Sequence, residues 1–389
     1  MFPRISDLIN YIFGTTINIP IQSYGFMMAV AFVIGGYTIY LELKRKEKEG
    51  ILPVRQKKVL TGAPASFQEI FYSAIFGFIL GWKGIGLIAD YSNFSNNPQE
   101  WILSGKGSLL VGFLGAAVFG FYSYYTKQKK QKKEPEWVEV TVHPYQLTLS
   151  ILLIAAVFGI IGSKLFDVAE HLTDLAQDPI GTLFSFAGLS FYGGLIVATF
   201  AVVWYASKHN IRFPHIADVA APGLILAYGI GRIGCQLSGD GCWGVINNNP
   251  KPGWMSFLPD WLWSFNYPHN VIDEGIAIPG CTGPHCSILP NPVFPTPLYE
   301  TLICLGIFVI LWLIRKHLKT PGFLFSIYLI MNATERFLIE TIRVNKEYNI
   351  LGIHLTQAQC IAIFLAILGI SGFFFFTWLD KKYRVKSAT

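Results

Sequence analysis

In the stretch Glu335 to Arg343, the charged residues Arg336, Glu340 and Arg343 recur at i, i+4 and i+7, which on a helix places them on one face. Two positive charges flanking one negative leave a surplus that a further anion would complete. A phosphate suits paired guanidinium groups, because each planar fork donates two parallel hydrogen bonds to its oxygens. A third arginine, Arg232, lies in the glycine-rich string GRIGCQLSGDGCWG, Gly231 to Gly244, where a long apolar segment gives way to a polar stretch rich in Trp and Pro. Gly231 and Gly234 beside it allow backbone or ligand to approach closely. Within a bilayer helix an arginine costs on the order of 3 kcal/mol, and one that persists there faces a cavity, a counter-ion or a bound anion. The three arginines therefore read as a site for a phospholipid headgroup. Glu335, about 100° round the helix from Arg336, is expected to pack against another segment.

The rest of the chain supplies the bilayer. Of its 389 residues 52% are hydrophobic and only 14% charged, and the mean hydropathy is +0.44, which excludes an ordinary soluble domain. Runs long enough to cross a membrane are expected at about 22–43, 69–90, 108–126, 147–166, 189–207, 216–236, 298–314, 322–343 and 356–379. The expected fold is thus an all-α, polytopic transmembrane helical bundle of about nine spans, forming one membrane domain over 1–389. No cleavable signal pattern precedes the first span, so the N-terminus is read as retained. Loops on one side of these spans carry 21 of the 30 Lys and Arg, those on the other side five. That asymmetry places the N-terminus outside, the C-terminus in the cytoplasm and residues 237–297 outside as a small extracytoplasmic head. The net charge of +6 then reports topology and anionic lipid rather than a nucleic-acid partner, and the KQKKQKK run reads as a solvated cytoplasmic linker.

With orientation assigned, the polar residues inside the spans share one depth. Tyr24 opens span 1, Lys164 and Asp167 close span 4, Tyr192 lies about one turn into span 5, and Arg232 is near the exit of span 6. Glu300 opens span 7, and Arg336, Glu340 and Arg343 close span 8. Lys164 or Arg343 alone is equally a snorkelling residue at the interface. As a set they point to a common outward-facing polar site.

These residues also fall in motifs. YG at Tyr24, GxxGxK ending at Lys164, SFYGGL at Ser190 to Leu195, IADVAAP at Ile216 to Pro222, GRIGCQLSGDG, PTPLYE at Pro295 to Glu300 and ERFLIETIR at Glu335 to Arg343 occur in that order. In this combination the chain resembles the prolipoprotein diacylglyceryl transferase family over most of residues 20–380. The resemblance implies a bacterial inner-membrane enzyme that moves diacylglyceryl from phosphatidylglycerol to the lipobox cysteine of preprolipoproteins, releasing glycerol phosphate. No cofactor or metal is expected, and no oligomeric state follows. Arg232 and Arg336 match the family's essential arginines and would hold the leaving phosphate. Glu340 and Arg343 match a supporting pair, and Tyr24 a functional tyrosine. Gly231, Gly234, Asp240, Lys164 and Glu300 are expected to help bind substrate.

The chain departs from the family's pattern at three places. Tyr192 stands where the family has the His of SFHGGL, proposed to activate the thiol, and in GCQLSGD Cys235 replaces an Asn and Asp240 a Glu. Three readings follow: Tyr192 donates a hydrogen bond, it acts as a base with its pKa depressed by arginines, or the chain is a catalytically silent paralogue that binds phospholipid as an assembly subunit. A lipid transporter would also bury paired charges, but on both sides of the midplane.

Nine spans exceed the seven of the family. GWK at Gly81 to Lys83 and Ser108 repeat the spacing of GSK at Gly162 to Lys164 and Ser190 to within one residue, so residues 69–126 read either as a duplicated helical hairpin or as a chance likeness of small-residue helices. In the head, Trp243, Trp254, Trp261 and Trp263 suit an interfacial belt or a lid over the peptide. Cys281 and Cys286 of CTGPHC pair with each other or with Cys242. His285 between them lacks the second ligand pair that a metal site needs.

Overall fold

The computed structural model describes all residues except 92–93, 95–100, 102–103, 179–181, 183–189, 346, 351–352 and 389. Leu189 at the start of the fifth expected span, part of the connection within 69–126, and Lys346 lie outside the described residues. The chain opens with a short helix, α1 (Ile5–Phe13), then α2 (Ser23–Lys48), α3 (Phe67–Ala89), α4 (Leu109–Lys129), α5 (Thr148–Glu170) and the short α6 (Leu172–Gln177). It continues with α7 (Phe191–Lys208), α8 (Phe213–Ser238), α9 (Thr296–Ile314), α10 (Phe323–Glu340) and α11 (Gln357–Ala388). Each of the nine expected apolar segments is one of these helices. By length and composition, seven are apolar enough to cross a membrane among the described residues. α10 falls outside that set because it carries Glu335, Arg336 and Glu340 near its end, and those are site residues.

The fold is the expected polytopic helical bundle, with three two-stranded antiparallel ribbons that apolar periodicity does not announce: β1–β2 (Arg55–Thr61 with Glu136–Val142), β3–β4 (Ile276–Ala277 with Ser287–Ile288) and β5–β6 (Glu347–Ile350 with Ile353–Thr356). The KQKKQKK run is exposed throughout. It ends α4, and Lys132 donates its backbone N–H to Gly62 ahead of the β2 strand.

Two compact units make up the chain, one of Met1–Pro53 with Pro144–Thr389 and the other of Val54–His143. In the second, α3 packs on α4 above the β1–β2 ribbon. A capping box between Ser66 and Glu69 starts α3 by satisfying two backbone donors. Gly81 lets the helices cross closely, since a Cβ there would lie 2.3 Å from the Val111 carbonyl oxygen. In the first unit the α5–α7 hairpin repeats this at the aligned position, where a Cβ on Gly162 would lie 2.5 Å from the Gly193 oxygen. Ser108 N–H donates to the Trp82 carbonyl at 3.0 Å and Ser190 N–H to that of Ser163 at 3.2 Å, again at aligned positions.

The first unit is organised around α8, the most deeply buried of the long helices, which packs against α2, α9 and α10. Ile225, Cys304, Ile307, Leu311 and Leu324 form the apolar core between α8, α9 and α10. The segment after α8 has its own small core of Trp243, Tyr267, Leu289 and Val293. Trp243 is therefore a packing residue, whereas Trp254 and Phe257 are exposed. Cys281 and Cys286 form a disulfide, which closes off the CTGPHC segment as a metal site, and Cys242 is a free thiol.

Candidate functional site

Glu300, in the first turns of α9, is fully buried, and three arginines from elsewhere in the sequence converge on it. Arg232 Nε from the end of α8 is 2.6 Å from its Oε2, Arg343 Nη1 is 3.1 Å from Oε1, and Arg336 Nη1 from α10 is 3.8 Å from Oε2. The Arg232 and Arg336 contacts are ion pairs without hydrogen-bond geometry, for both nitrogens are buried with no hydrogen-bond acceptor. Tyr228, one turn before Arg232, donates its hydroxyl to Glu300 Oε2 at 2.6 Å and accepts from Arg232 Nη2 at 2.9 Å. A second carboxylate, Glu340, pairs with Arg336 Nη2 at 3.0 Å and accepts from Asn345.

One expectation needs correcting. Arg343 does not lie on the face of α10, which ends at Glu340. Instead it bridges to Gly244, and Val245 N–H donates to the Ile342 carbonyl, so the segment after α8 holds Arg343 in place. Gly244 permits this approach because a Cβ there would lie 2.5 Å from the Ile342 oxygen. Glu335 is buried without a hydrogen-bond partner, within electrostatic range of Glu300 on α9 and of Arg336, Arg232 and Arg343. With Glu300 and Glu335 counted, the excess of arginine read from Arg336, Glu340 and Arg343 alone is taken up.

Within the cluster the charges lie in a definite order. The carboxylates are sealed, with side-chain exposures of 0% for Glu300 and 1% for Glu340, whereas Arg232, Arg336 and Arg343 retain 15, 22 and 11%. A solvent-side ligand therefore meets guanidinium groups whose counter-ions stand behind them. Buried carboxylates left unpaired would cost several kcal/mol, so the arginines are held in place by the same pairs. The arrangement orients cationic donors toward an anion without letting them collapse onto one another.

The remaining expected site residues distribute around this centre. Tyr192, at the start of α7, is within electrostatic range of Arg336 and Glu340. Tyr24, half exposed at the start of α2, interacts with Arg232, Asp240, Cys235 and Cys242. Gly234 packs against Tyr24, whose Cα would be 3.3 Å from an added Cβ. Gly231 is looser, with only Met28 Sδ near at 3.4 Å. Asp240 Oδ1 accepts from the Cys242 backbone N–H at 3.2 Å. Lys164 pairs with Asp167 at 3.0 Å on its own helix, and no contact between it and the arginines is seen among the described residues.

Tyr228, Asn345 and the two thiols were not anticipated. Tyr228 had a signal, its i−4 spacing from Arg232. Cys235 Sγ is 3.9 Å from Arg232 Nη1, and a hydrogen bond from Cys235 lowers the Cys242 thiol to about 7 against the opposing effect of burial.

Comparison with known proteins gives one family. A family model described as prolipoprotein diacylglyceryl transferase matches residues 109–375, a span that includes every arginine of the cluster and leaves out Tyr24. Three curated relatives are each named phosphatidylglycerol–prolipoprotein diacylglyceryl transferase. The chain is 29% identical to that of Dehalococcoides mccartyi (strain ATCC BAA-2266 / KCTC 15142 / 195) over 240 residues, 62% of this chain and 80% of the relative. To that of Leptospira interrogans serovar copenhageni it is 28% identical over 278 residues, 64% of this chain and 74% of the relative. For Shouchella clausii the figures are 27% over 245 residues, 62% and 78%.

Proposed function

The chain belongs to the prolipoprotein diacylglyceryl transferase family, and from that premise we propose that it transfers diacylglyceryl from phosphatidylglycerol to the lipobox cysteine thiol of preprolipoproteins at the Glu300 arginine cluster. The reaction is a displacement at the glycerol carbon that bears the phosphate. The acceptor thiol loses its proton, its sulfur forms the new C–S bond, and the C–O bond electrons leave with the phosphate of glycerol phosphate. Arg232 and Arg336 bind that phosphate and neutralise the charge that grows on it. The observation that carries this reading is their convergence on one oxygen of a sealed carboxylate while both remain accessible.

Glu300 and Glu340 hold the guanidinium groups in place, and Arg343 completes the positive rim. Tyr192, close to Arg336 and Glu340, donates a hydrogen bond to the headgroup; Tyr24 contacts it from α2. Gly231 and Gly234 keep the α8 wall thin beside Arg232. Lys164 and Asp240 approach the lipid or peptide at the margin of the site. The site faces outward in the bacterial inner membrane, with the C-terminus cytoplasmic, as the asymmetry of Lys and Arg supports. Residues 69–126 are a duplicate of the α5–α7 hairpin within this membrane protein, a reading supported by the matched glycine crossings and the matched Ser108 and Ser190 hydrogen bonds. Residues 237–297 form the head that covers the peptide.

Incubating the purified chain with phosphatidylglycerol and a lipobox peptide tests the reaction. The expected result is a diacylglyceryl mass gain on the peptide cysteine, absent with Arg232→Ala. No gain under conditions that support an active relative would overturn it in favour of a silent lipid-binding subunit.

A further inference from the structure

The C-terminus of α8 brings together three groups at the margin of the phosphate site. Gly239, with φ 65°, ends the helix in the left-handed conformation and returns its N–H to the Cys235 carbonyl at 2.9 Å. Gly241, with φ 86°, turns the chain again. Together they fold Asp240 and Cys242 back over the last helical turn, so that Cys235 Sγ, Cys242 Sγ and an Asp240 carboxylate oxygen all lie within 4.8 Å of one another. A tetrahedral zinc ion with Zn–S near 2.3 Å holds its sulfurs about 3.8 Å apart, a closure that side-chain rotation supplies.

Arg232 and Arg343 act on this point, but the negative groups outnumber them once the thiols ionise. Two thiols that ionise on binding metal, a carboxylate and the negative end of the α8 dipole meet at this point. Arg232 Nη1, 3.9 Å from Cys235 Sγ, supplies the outer hydrogen bond that commonly steadies a metal-bound thiolate. Soft sulfur donors with one oxygen select a thiophilic ion over magnesium or calcium.

We propose that Cys235, Asp240 and Cys242 bind a thiophilic divalent cation, Zn²⁺ by its chemistry, with a fourth position open to the cysteine thiol of the acceptor peptide. Three protein ligands and one open position are the pattern of a catalytic zinc site rather than a structural one. The function assigned to the open position rests on the transferase reading. There the acceptor thiol binds the metal as thiolate and releases its proton to water. Its sulfur then forms the C–S bond as the C–O bond to phosphate breaks, the electron pair leaving on the oxygen held by Arg232 and Arg336. The product thioether is neutral and a weak ligand, so it departs. Activation of this kind requires no base at position 192, where the chain carries Tyr192.

The test uses the full chain in detergent, purified under reducing conditions and titrated with Co²⁺ and Zn²⁺. One equivalent of Co²⁺ should produce a near-ultraviolet sulfur-to-cobalt band, displaced by Zn²⁺ and lost in C235S and C242S. A lipobox peptide should shift the cobalt visible spectrum, and the same peptide with Ser for Cys should not. Absence of the band in the wild-type chain, or an equal band in both variants, overturns the metal site. Transfer that is equally fast with a zinc chelator and in C235S overturns thiol activation and leaves the transferase intact. A cobalt band in a wild-type chain that transfers nothing overturns the transferase reading and leaves the metal site intact.

Discussion

Two buried charge clusters stand toward opposite ends of α8, and they differ in how fully their guanidinium groups are hydrogen-bonded. At the start of α8, Asp218 accepts backbone N–H bonds from Gly322 and Phe325 at 2.9 and 3.1 Å and pairs with Lys46 at 3.4 Å. Beside it, Glu42 binds Arg45 and Arg315, each at 2.7 Å. No guanidinium nitrogen in that cluster is buried without a hydrogen bond among the described residues. At the other end, about 21 Å away along the helix, Arg232 Nε and Arg336 Nη1 are buried without one. The first cluster ties the start of α10 to α8 and α2; the second leaves two guanidinium nitrogens ion-paired with Glu300 but without a hydrogen bond. Complete hydrogen bonding of the guanidinium groups at one end and incomplete bonding at the other separates the strut from the candidate site. Between the clusters α8 buries Pro222, Ile225, Leu226 and Ile230, so the polar groups at its two ends do not join into the path that a transporter would need.

Removing the central acceptor should have the largest effect. Glu300→Ala leaves three arginines without their shared counter-ion, an expected loss of about 3–5 kcal/mol, visible as a collapse of the melting temperature together with loss of transfer. Arg336→Ala should lower transfer per folded molecule by about 10²–10³-fold, as for loss of one donor to a developing anion, and should also lower the melting temperature because Glu340 loses its partner. A drop in melting with undiminished transfer per folded molecule would mean that Arg336 is a strut like those at the other end. Asp218→Asn is the converse experiment, expected to cost about 1–3 kcal/mol in thermal unfolding with undiminished transfer per folded molecule. If transfer were lost instead, the division between closed and open clusters would be wrong. Smallest of all, Tyr228→Phe removes two hydrogen bonds, one to Glu300 and one from Arg232, each worth about 1–2 kcal/mol, and should lower transfer by about tenfold or less through slack in Arg232.

Much of this was legible before any coordinates. Runs of apolar residues located nine helices, because burying some 20 residues in lipid is a local property of each segment. Arg232, Arg336, Glu300 and Tyr192 could be placed at one depth by counting along those segments. Azimuth could not be read in the same way. The 100° offset of Glu335 from Arg336 did not show that packing would bury it within electrostatic range of Glu300 on α9. Arg343 was assigned to a helix that ends three residues before it, because its partner Gly244 lies about a hundred residues away in sequence. Neither the β1–β2 ribbon nor the Asp218 clamp was read from the sequence, because strand pairs and backbone donors leave no periodic trace.

By itself the sequence determined which segments are apolar helices, where along each the charges sit, and which family the motifs resemble. Only the tertiary structure decided that Arg232, Arg336 and Arg343 share one carboxylate, and that Cys235, Asp240 and Cys242 meet at the end of α8. The physical reason is that depth depends on distance along one helix, whereas convergence depends on how separate helices rotate and pack.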